Sequence, residues 1–333
     1  MQVVRLHGAR ELRLHDEPIP NPGVGDVLLR VTAVGICGSD LHWYADASIG
    51  DVHLKRPLVL GHEFAGVVAG TGQRVAVDPA IPCSNCDQCR EGNPNLCETQ
   101  RFAGSGTEDG ALREFMVWPR HCLVPLPDSL SDVDGAVLEP LGVAIHAIDL
   151  GHLKPGMTVG VFGCGPIGLL ILQLARSAGA VQLIATDLLA HRLDAARVFG
   201  AKAFQATGGD EVNEILAATN GRGVDIAFEV STSSAAVETV IAVSRPGGRV
   251  VLAGIPDDDC ISFRASVARR KGLTLKLVRR MKHTYPRAIR LVESGVVDIR
   301  SVVTHRFPLA KTEEAFSMAQ RREGLKIIIE PSH

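Results

Sequence analysis

The sequence lacks an excess of charge of either sign. Lys and Arg total 35 against 37 Asp and Glu, a formal net charge of −2 over 333 residues. Acids and bases are interspersed, so no field suited to nucleic acid or to an anionic membrane is implied. Long apolar runs are also missing, and the longest, near 167–175, is too short to span a bilayer. Residues 1–13 alternate charged and apolar side chains. They lack the basic stretch, apolar core and cleavage site of a secretory signal, so a cytoplasmic protein is expected. There is no internal repeat and no low-complexity segment. Aromatic residues are scarce at 4%, so any that fall near a candidate site count as candidate pocket walls. What is present, 46% hydrophobic and 22% charged residues, fits a globular protein with a full core. The length suits about two domains of ordinary size.

The first third reads as β-rich, with short apolar runs at 27–34, 63–69 and 74–78 separated by Gly, Pro and Asp. Residues 79–109, rich in Cys, Gly, Asn and Pro, read as an irregular lobe. The middle changes character. Strands are predicted at 157–162, 181–187, 203–206, 225–230 and 249–255. Helices alternate with them at 166–178, with Gly179 as C-cap, and at 191–199, 211–219 and 234–244. That alternation implies βαβ units and a parallel sheet. The tail holds helical patterns at 285–294 and 312–320 and a strand at 326–330. Lys154-Pro155-Gly156 marks the entry to the middle domain, and 279–286 its exit.

Gly163-Cys164-Gly165-Pro166-Ile167-Gly168 is a G-x-G-x-x-G string with a strand before it and a helix after it. Gly163 allows the tight turn, Gly165 lets the backbone approach a pyrophosphate, and Gly168 permits close helix–sheet packing. The helix N-terminus then offers free N–H groups to the phosphates. The next strand ends in Asp187, followed by Leu188 and Leu189 rather than Arg. A carboxylate there accepts from ribose hydroxyls and repels a 2′-phosphate, which favours NAD over NADP.

Four of the eight cysteines fall within fifteen residues, as Cys83-x2-Cys86-x2-Cys89-x7-Cys97. Clustering of this kind in a reducing compartment points to metal rather than disulfides. Four thiolates satisfy a tetrahedral zinc with no open position, hence a structural site. A nucleic-acid zinc finger and an iron–sulfur cluster are the alternatives, and the lobe is not basic. Cys37, His62, Glu63 and Glu139 form a second chemically sensible set, for a zinc with an exchangeable fourth ligand. Spacing alone does not bring them together, and on chemistry alone a buried inert thiol is the favoured reading of Cys37.

Read together, several segments resemble the zinc-containing medium-chain dehydrogenase/reductase family, and within it the sorbitol/xylitol (polyol) branch. They are GICGSDLHWY at 35–44, GHEFAGVV at 61–68, the four-cysteine lobe, LEPLGVAIHA at 138–147, VGVFGCGPIGLL at 159–170, PGGRVVLAGI at 246–255 and THRFPL at 304–309. They run in the family's order over nearly the whole chain. The resemblance implies an α/β protein. A discontinuous Greek-key, β-rich (GroES-like) catalytic domain is expected at 1–146 and 286–333, and a doubly wound Rossmann domain at 147–285, with the active site in the cleft between them.

It also implies the site. Cys37, His62 and Glu63 would hold a catalytic zinc, with Glu139 exchanging or acting through water. Asp40 would fix the zinc-bound His62, Ser39 would take the substrate proton, and His42 would end the relay to solvent. Trp43, Tyr44, Phe102 and Arg279 would contact substrate. Beside the glycine motif with Pro166 and Ile167, the cofactor would meet Asp187, Arg192, Val230, Ala253, Gly254, Ile255 and Leu277. Cofactors would be NAD and two zinc ions per chain, and the assembly a homodimer or homotetramer. The activity implied is hydride transfer from a secondary hydroxyl of a polyol to NAD+. The alternatives are 2,3-butanediol, L-idonate, L-threonine or a polyol phosphate as substrate, or a non-catalytic NAD-binding relative. Two departures from the family pattern stand out: a short connection between Val68 and Arg74, and unusual wording at Arg280-Met281-Lys282-His283.

Overall fold

The apolar run predicted at 27–34 forms Asp26–Gly35, the longest described strand, and a seven-stranded sheet is built around it. In this computed structural model, which describes residues 1–231, 233–257 and 259–331, the sheet runs Leu123–Pro125, Arg74–Val77, Glu63–Val68, Asp26–Gly35, Lys326–Glu330, Val303–Pro308. Phe115–Pro119 pairs antiparallel with the other half of Asp26–Gly35. All pairings are antiparallel except that between the last two strands. Leu29, Val31, Phe64, Val75 and Met116 supply buried side chains to the core. Phe64 meets Trp118 edge to face at 6.4 Å, and the indole N–H donates to the Asp78 carbonyl at 2.9 Å. The shortened connection after Val68 closes as a tight turn, with Val68 N–H donating to Gln73 O at 2.9 Å.

Several elements were not anticipated. The alternation at the N-terminus is a hairpin, Gln2–Gly8 with Glu11–Asp16. Asp132–Gly151 is a twenty-residue helix despite Pro140 within it. Its entry is capped reciprocally: Asp134 N–H donates to Ser131 Oγ at 3.1 Å, and Ser131 N–H to Asp134 Oδ2 at 2.9 Å. Burial of Val137, Leu138, Leu141, Ala144 and Ile145 offsets the hydrogen bond lost at the proline. Residues 79–109 are mostly irregular, but they hold helical turns at Asp87–Arg90 and Pro94–Leu96 and a short antiparallel pair, Ala80–Ile81 with Arg101–Phe102, that were not anticipated.

The chain divides into two units, Met1–Pro140 with Tyr285–Ile289 and Ile299–His333, and Leu141–Thr284 with Arg290–Asp298. Gln173 ties the last segment to the second unit, donating to Asp298 O and accepting from Asp298 N–H at 3.0 and 2.7 Å. In that unit six parallel strands lie in the order Lys202–Gln205, Gln182–Asp187, Thr158–Phe162, Val224–Glu229, Ser244–Leu252, Thr274–Leu277. Numbered along the chain this is 3-2-1-4-5-6, the doubly wound order. The strand predicted at 249–255 starts earlier and stops at Leu252, because Ala253 and Gly254 turn their N–H groups to the Glu229 carbonyl. The edge strand Thr274–Leu277 was not predicted. No described helix is long and apolar enough to cross a membrane.

Candidate active site

Cys37 is the N-cap of the helix Gly38–Asp46, and Asp40, three residues on, accepts the Cys37 N–H at 2.9 Å. The other oxygen of Asp40 accepts from Gly61 N–H at 3.2 Å and lies 3.5 Å from His62 Nδ1. One buried carboxylate therefore joins the helix start to the loop carrying His62. Gly61 has φ +91°, and a Cβ there would meet Val34 Cγ1 at 2.7 Å, so only glycine passes. Burial disfavours the charge of Asp40, but His62 and the Cys37 and Gly61 N–H groups outweigh it, and its pKa lies below the ordinary range.

Glu63 opens the strand Glu63–Val68 directly across from Gly35. A Cβ on Gly35 would overlap Glu63 Oε2, so the bare backbone there makes room for the carboxylate. On the other flank of Asp26–Gly35, Lys326 opens the strand Lys326–Glu330. Its Nζ donates to Glu63 Oε1 and Oε2 at 2.8 and 2.6 Å and to the Ile36 carbonyl at 2.9 Å. Burial works against this ammonium. The charges of Glu63, Cys37 and Glu139 outweigh it and hold its pKa above the ordinary value.

The ligand atoms of Cys37, His62 and Glu63 lie within 4.8 Å of one another. Thiolate, imidazole and carboxylate in that proximity fit a zinc with three protein ligands and an exchangeable fourth. Asp40 facing Nδ1 leaves Nε2 of His62 as the nitrogen for a metal, the carboxylate–histidine arrangement that such sites use. Without a metal, burial opposes protonation of His62, but Asp40 and Cys37 raise its pKa well above the usual value. Phe102 is also brought here, its ring 5.1 Å from that of His62. Glu139 is buried on the helix Asp132–Gly151, close enough for its charge to act on Lys326. Ser39 and His42 are half-buried on the helix that Cys37 begins. Trp43 and Tyr44, expected beside the substrate, are buried in the core cluster at 2% and 4% exposure, Tyr44 with its ring 5.3 Å from Phe316. Arg279 lies in the second unit, exposed, just past the strand Thr274–Leu277.

The sulfurs of Cys83, Cys86, Cys89 and Cys97 also converge within 4.8 Å. The N–H groups of Asn85 and Cys86 draw the Cys83 pKa down to about 6, and the Cys83 N–H lowers that of Cys97. Desolvation and the three neighbouring thiols push Cys89 up to about 12. Crowding of this kind is relieved when a divalent cation takes all four sulfurs as thiolates.

In the second unit the glycine motif forms the turn between Thr158–Phe162 and the helix Pro166–Ser177, with Pro166 in its first turn. Gly163 has φ +107° and abuts the Val230 backbone, and a Cβ on Gly168 would overlap Gly163 O. A Cβ on Gly165 would meet only Arg192, at 3.8 Å, so the N-terminal end of this helix is open to a phosphate. Asp187 accepts Cys164 N–H at 2.7 Å and Leu189 N–H at 2.9 Å, which fixes its carboxylate at the end of Gln182–Asp187. Burial and then Asp187 push the Cys164 thiol up to about 12, so this cysteine stays a protonated packing residue. Glu229, buried at the end of Val224–Glu229, accepts from Ser231 N–H and Oγ at 2.7 and 2.6 Å. Val230, Ala253 and Gly254 are half-buried at these strand ends, and Ile255 and Leu277 are exposed.

Sequence reasoning missed Lys326. The only signal was a lysine heading an otherwise apolar strand, and its partner is 263 residues away.

The class so defined is a metal-assisted, dinucleotide-dependent dehydrogenase. Residues 23–128 match the alcohol dehydrogenase GroES-like domain and residues 166–294 the zinc-binding dehydrogenase domain. A sorbitol dehydrogenase of Bacillus subtilis is 35% identical, over 100% of this chain and 98% of its own. A probable D-xylulose reductase A of Emericella nidulans is 36% identical, over 97% and 94%. An alcohol dehydrogenase of Escherichia coli complexed with NADH superposes with a TM-score of 0.90 at 27% identity, over 99% of both chains. A zinc-binding dehydrogenase of Sinorhizobium meliloti bound to NADP does so at 0.89 and 31%, also over 99% of both. The chain belongs to the zinc-containing medium-chain dehydrogenase/reductase family, in its polyol dehydrogenase branch.

Proposed function

We propose that the chain oxidises a secondary hydroxyl of a polyol or sugar alcohol to the ketose, with NAD+ as hydride acceptor and zinc at Cys37, His62 and Glu63. The observation that carries this is the convergence of those three ligand atoms within 4.8 Å beside Asp40. Likeness to a sorbitol dehydrogenase and a D-xylulose reductase supports a polyol substrate. The fixed carboxylate of Asp187 supports NAD over NADP, because a 2′-phosphate would meet like charge. A second, structural zinc belongs to Cys83, Cys86, Cys89 and Cys97.

Bound zinc and NAD+ supply Lewis acidity toward the hydroxyl and the hydride acceptor. The chain's residues do the rest. Ser39 accepts the hydroxyl proton and His42 passes it to solvent. Asp40 holds the imidazole of His62, and Glu139 adds a second carboxylate that acts through water. Phe102 covers His62. Gly163, Gly165, Pro166, Ile167 and Gly168 receive the pyrophosphate, with Asp187 and Arg192 at the adenosine end. Val230, Ala253, Gly254, Ile255 and Leu277 line the nicotinamide end. Residues 1–146 and 286–333 thus serve the substrate, and 147–285 the cofactor. The protein works in the cytoplasm as a homodimer or homotetramer, without a nucleic-acid or membrane partner.

The test is NADH formation from sorbitol, xylitol, ribitol, galactitol, 2,3-butanediol, L-idonate, L-threonine and a polyol phosphate, with NADP+ in parallel and with or without a zinc chelator. Chelator-sensitive turnover of a polyol with NAD+ is the expected result. Preference for another alcohol would remove the polyol assignment, and turnover by metal-stripped protein would remove the zinc.

A further inference from the structure

Lys326 is a cation buried beside three groups suited to bind another cation. Its side chain and that of Glu63 are 4% and 1% exposed. At such burial an ammonium repels a neighbouring metal strongly, so its presence carries a cost in metal affinity. Its three N–H donors match three acceptors, the two Glu63 oxygens and the Ile36 carbonyl. A carboxylate gripped in this way is not free to chelate through both oxygens. Charge balance points the same way. The ammonium and a divalent metal together offset Cys37 as thiolate, Glu63 and Glu139, the three negative groups whose fields reach Lys326.

We propose that Lys326 is a positioning residue of the metal centre. It retains one oxygen of Glu63, presents the other to the metal, and so keeps for the substrate the place that a second Glu63 oxygen would take. This rests on Cys37, His62 and Glu63 being the metal ligands. It makes the strand Lys326–Glu330, remote in sequence from the three ligands, part of the site.

The test is optical. Full-length wild type, K326M, K326Q and C37S are loaded with Co2+ in place of zinc, and the C37S spectrum is subtracted to isolate the site. Wild type is expected to show a thiolate-to-cobalt charge-transfer band and intense visible bands of four-coordinate cobalt. K326M should keep the charge-transfer band and lose about half or more of the visible intensity as coordination number rises. K326Q, which retains a donor to Ile36 and Glu63 but no charge, should shift in the same direction and serves if K326M does not fold. Unchanged visible bands in these variants would overturn the inference while leaving the ligands intact. Loss of the charge-transfer band in them would also overturn it, because Lys326 would then be needed for metal retention itself. A wild-type spectrum identical to that of C37S would remove the ligand assignment, and the inference with it.

Discussion

Asp225 and Asp40 are both buried carboxylates, and their neighbours give them different work. Asp225 accepts from Thr158 N–H at 2.8 Å, from Arg222 at 2.8 and 2.6 Å, and from Arg245 Nε at 2.6 Å. Burial raises its pKa, but Arg222, Thr158 and Arg245 outweigh it and draw it down to about 2. A folded pKa below the unfolded value gives stability that is present above about pH 4 and is lost as pH falls toward 2. Arg222 is half exposed, so after discounting for solvent the contribution at neutral pH is about 1–2 kcal/mol. D225N should therefore lower Tm by roughly 2–6 °C at pH 7, with the gap to wild type closing below pH 4. Thermal unfolding at several pH values checks this. Asp40 serves a metal instead. With the Cys37 sulfur removed, C37S should bind one zinc fewer than wild type by elemental analysis and lose turnover. Its Tm should stay close to that of the metal-free wild type. A full zinc complement in C37S would place the catalytic metal elsewhere.

At the scale of elements, the dinucleotide turn separates room for a ligand from room for the fold. A methyl at Gly165 meets nothing closer than Arg192, whereas one at Gly168 overlaps a backbone carbonyl. G165A should fold with a near-normal Tm and raise KM for NAD+ by about tenfold or more, because the methyl stands where the pyrophosphate must approach. G168A should lower Tm by several degrees or fail to fold. Equal effects of the two on Tm would show that the turn is not poised for a phosphate. This contrast was legible beforehand, since the motif and its strand–turn–helix context are local. The helix Asp132–Gly151 was not. Its glycines and Pro140 argue against a helix by propensity, and it exists because nearly every residue from Val133 to Ala147 is buried. Its capping pair Ser131 and Asp134 was nonetheless written in the sequence, three residues apart.

At the scale of the molecule, each unit has its own source of order. The lobe 79–109 has almost no regular structure, so the convergence of its four thiols is what a metal would stabilise. C97S should make that lobe sensitive to limited proteolysis while leaving NAD+ binding, followed by fluorescence, unchanged within about twofold. Saturating NAD+ should still stabilise the protein, by about 2.7 kcal/mol at a hundred times Kd. Loss of NAD+ binding in C97S would mean that the lobe organises more than itself.

The sequence by itself determined the parallel doubly wound unit, the dinucleotide turn and the four-cysteine cluster, because each is specified by neighbours along the chain. Strand and helix periods, glycine spacing and cysteine spacing act over a few residues, where backbone geometry leaves few choices. The tertiary structure alone decided what converges on Glu63. Strand register sets it across from Gly35, the next strand delivers Lys326, and the Gly61 turn lets Asp40 reach His62. Those partners lie 21 to 263 residues apart. Only long-range pairing, driven by burial of the strands between them, brings their charges together.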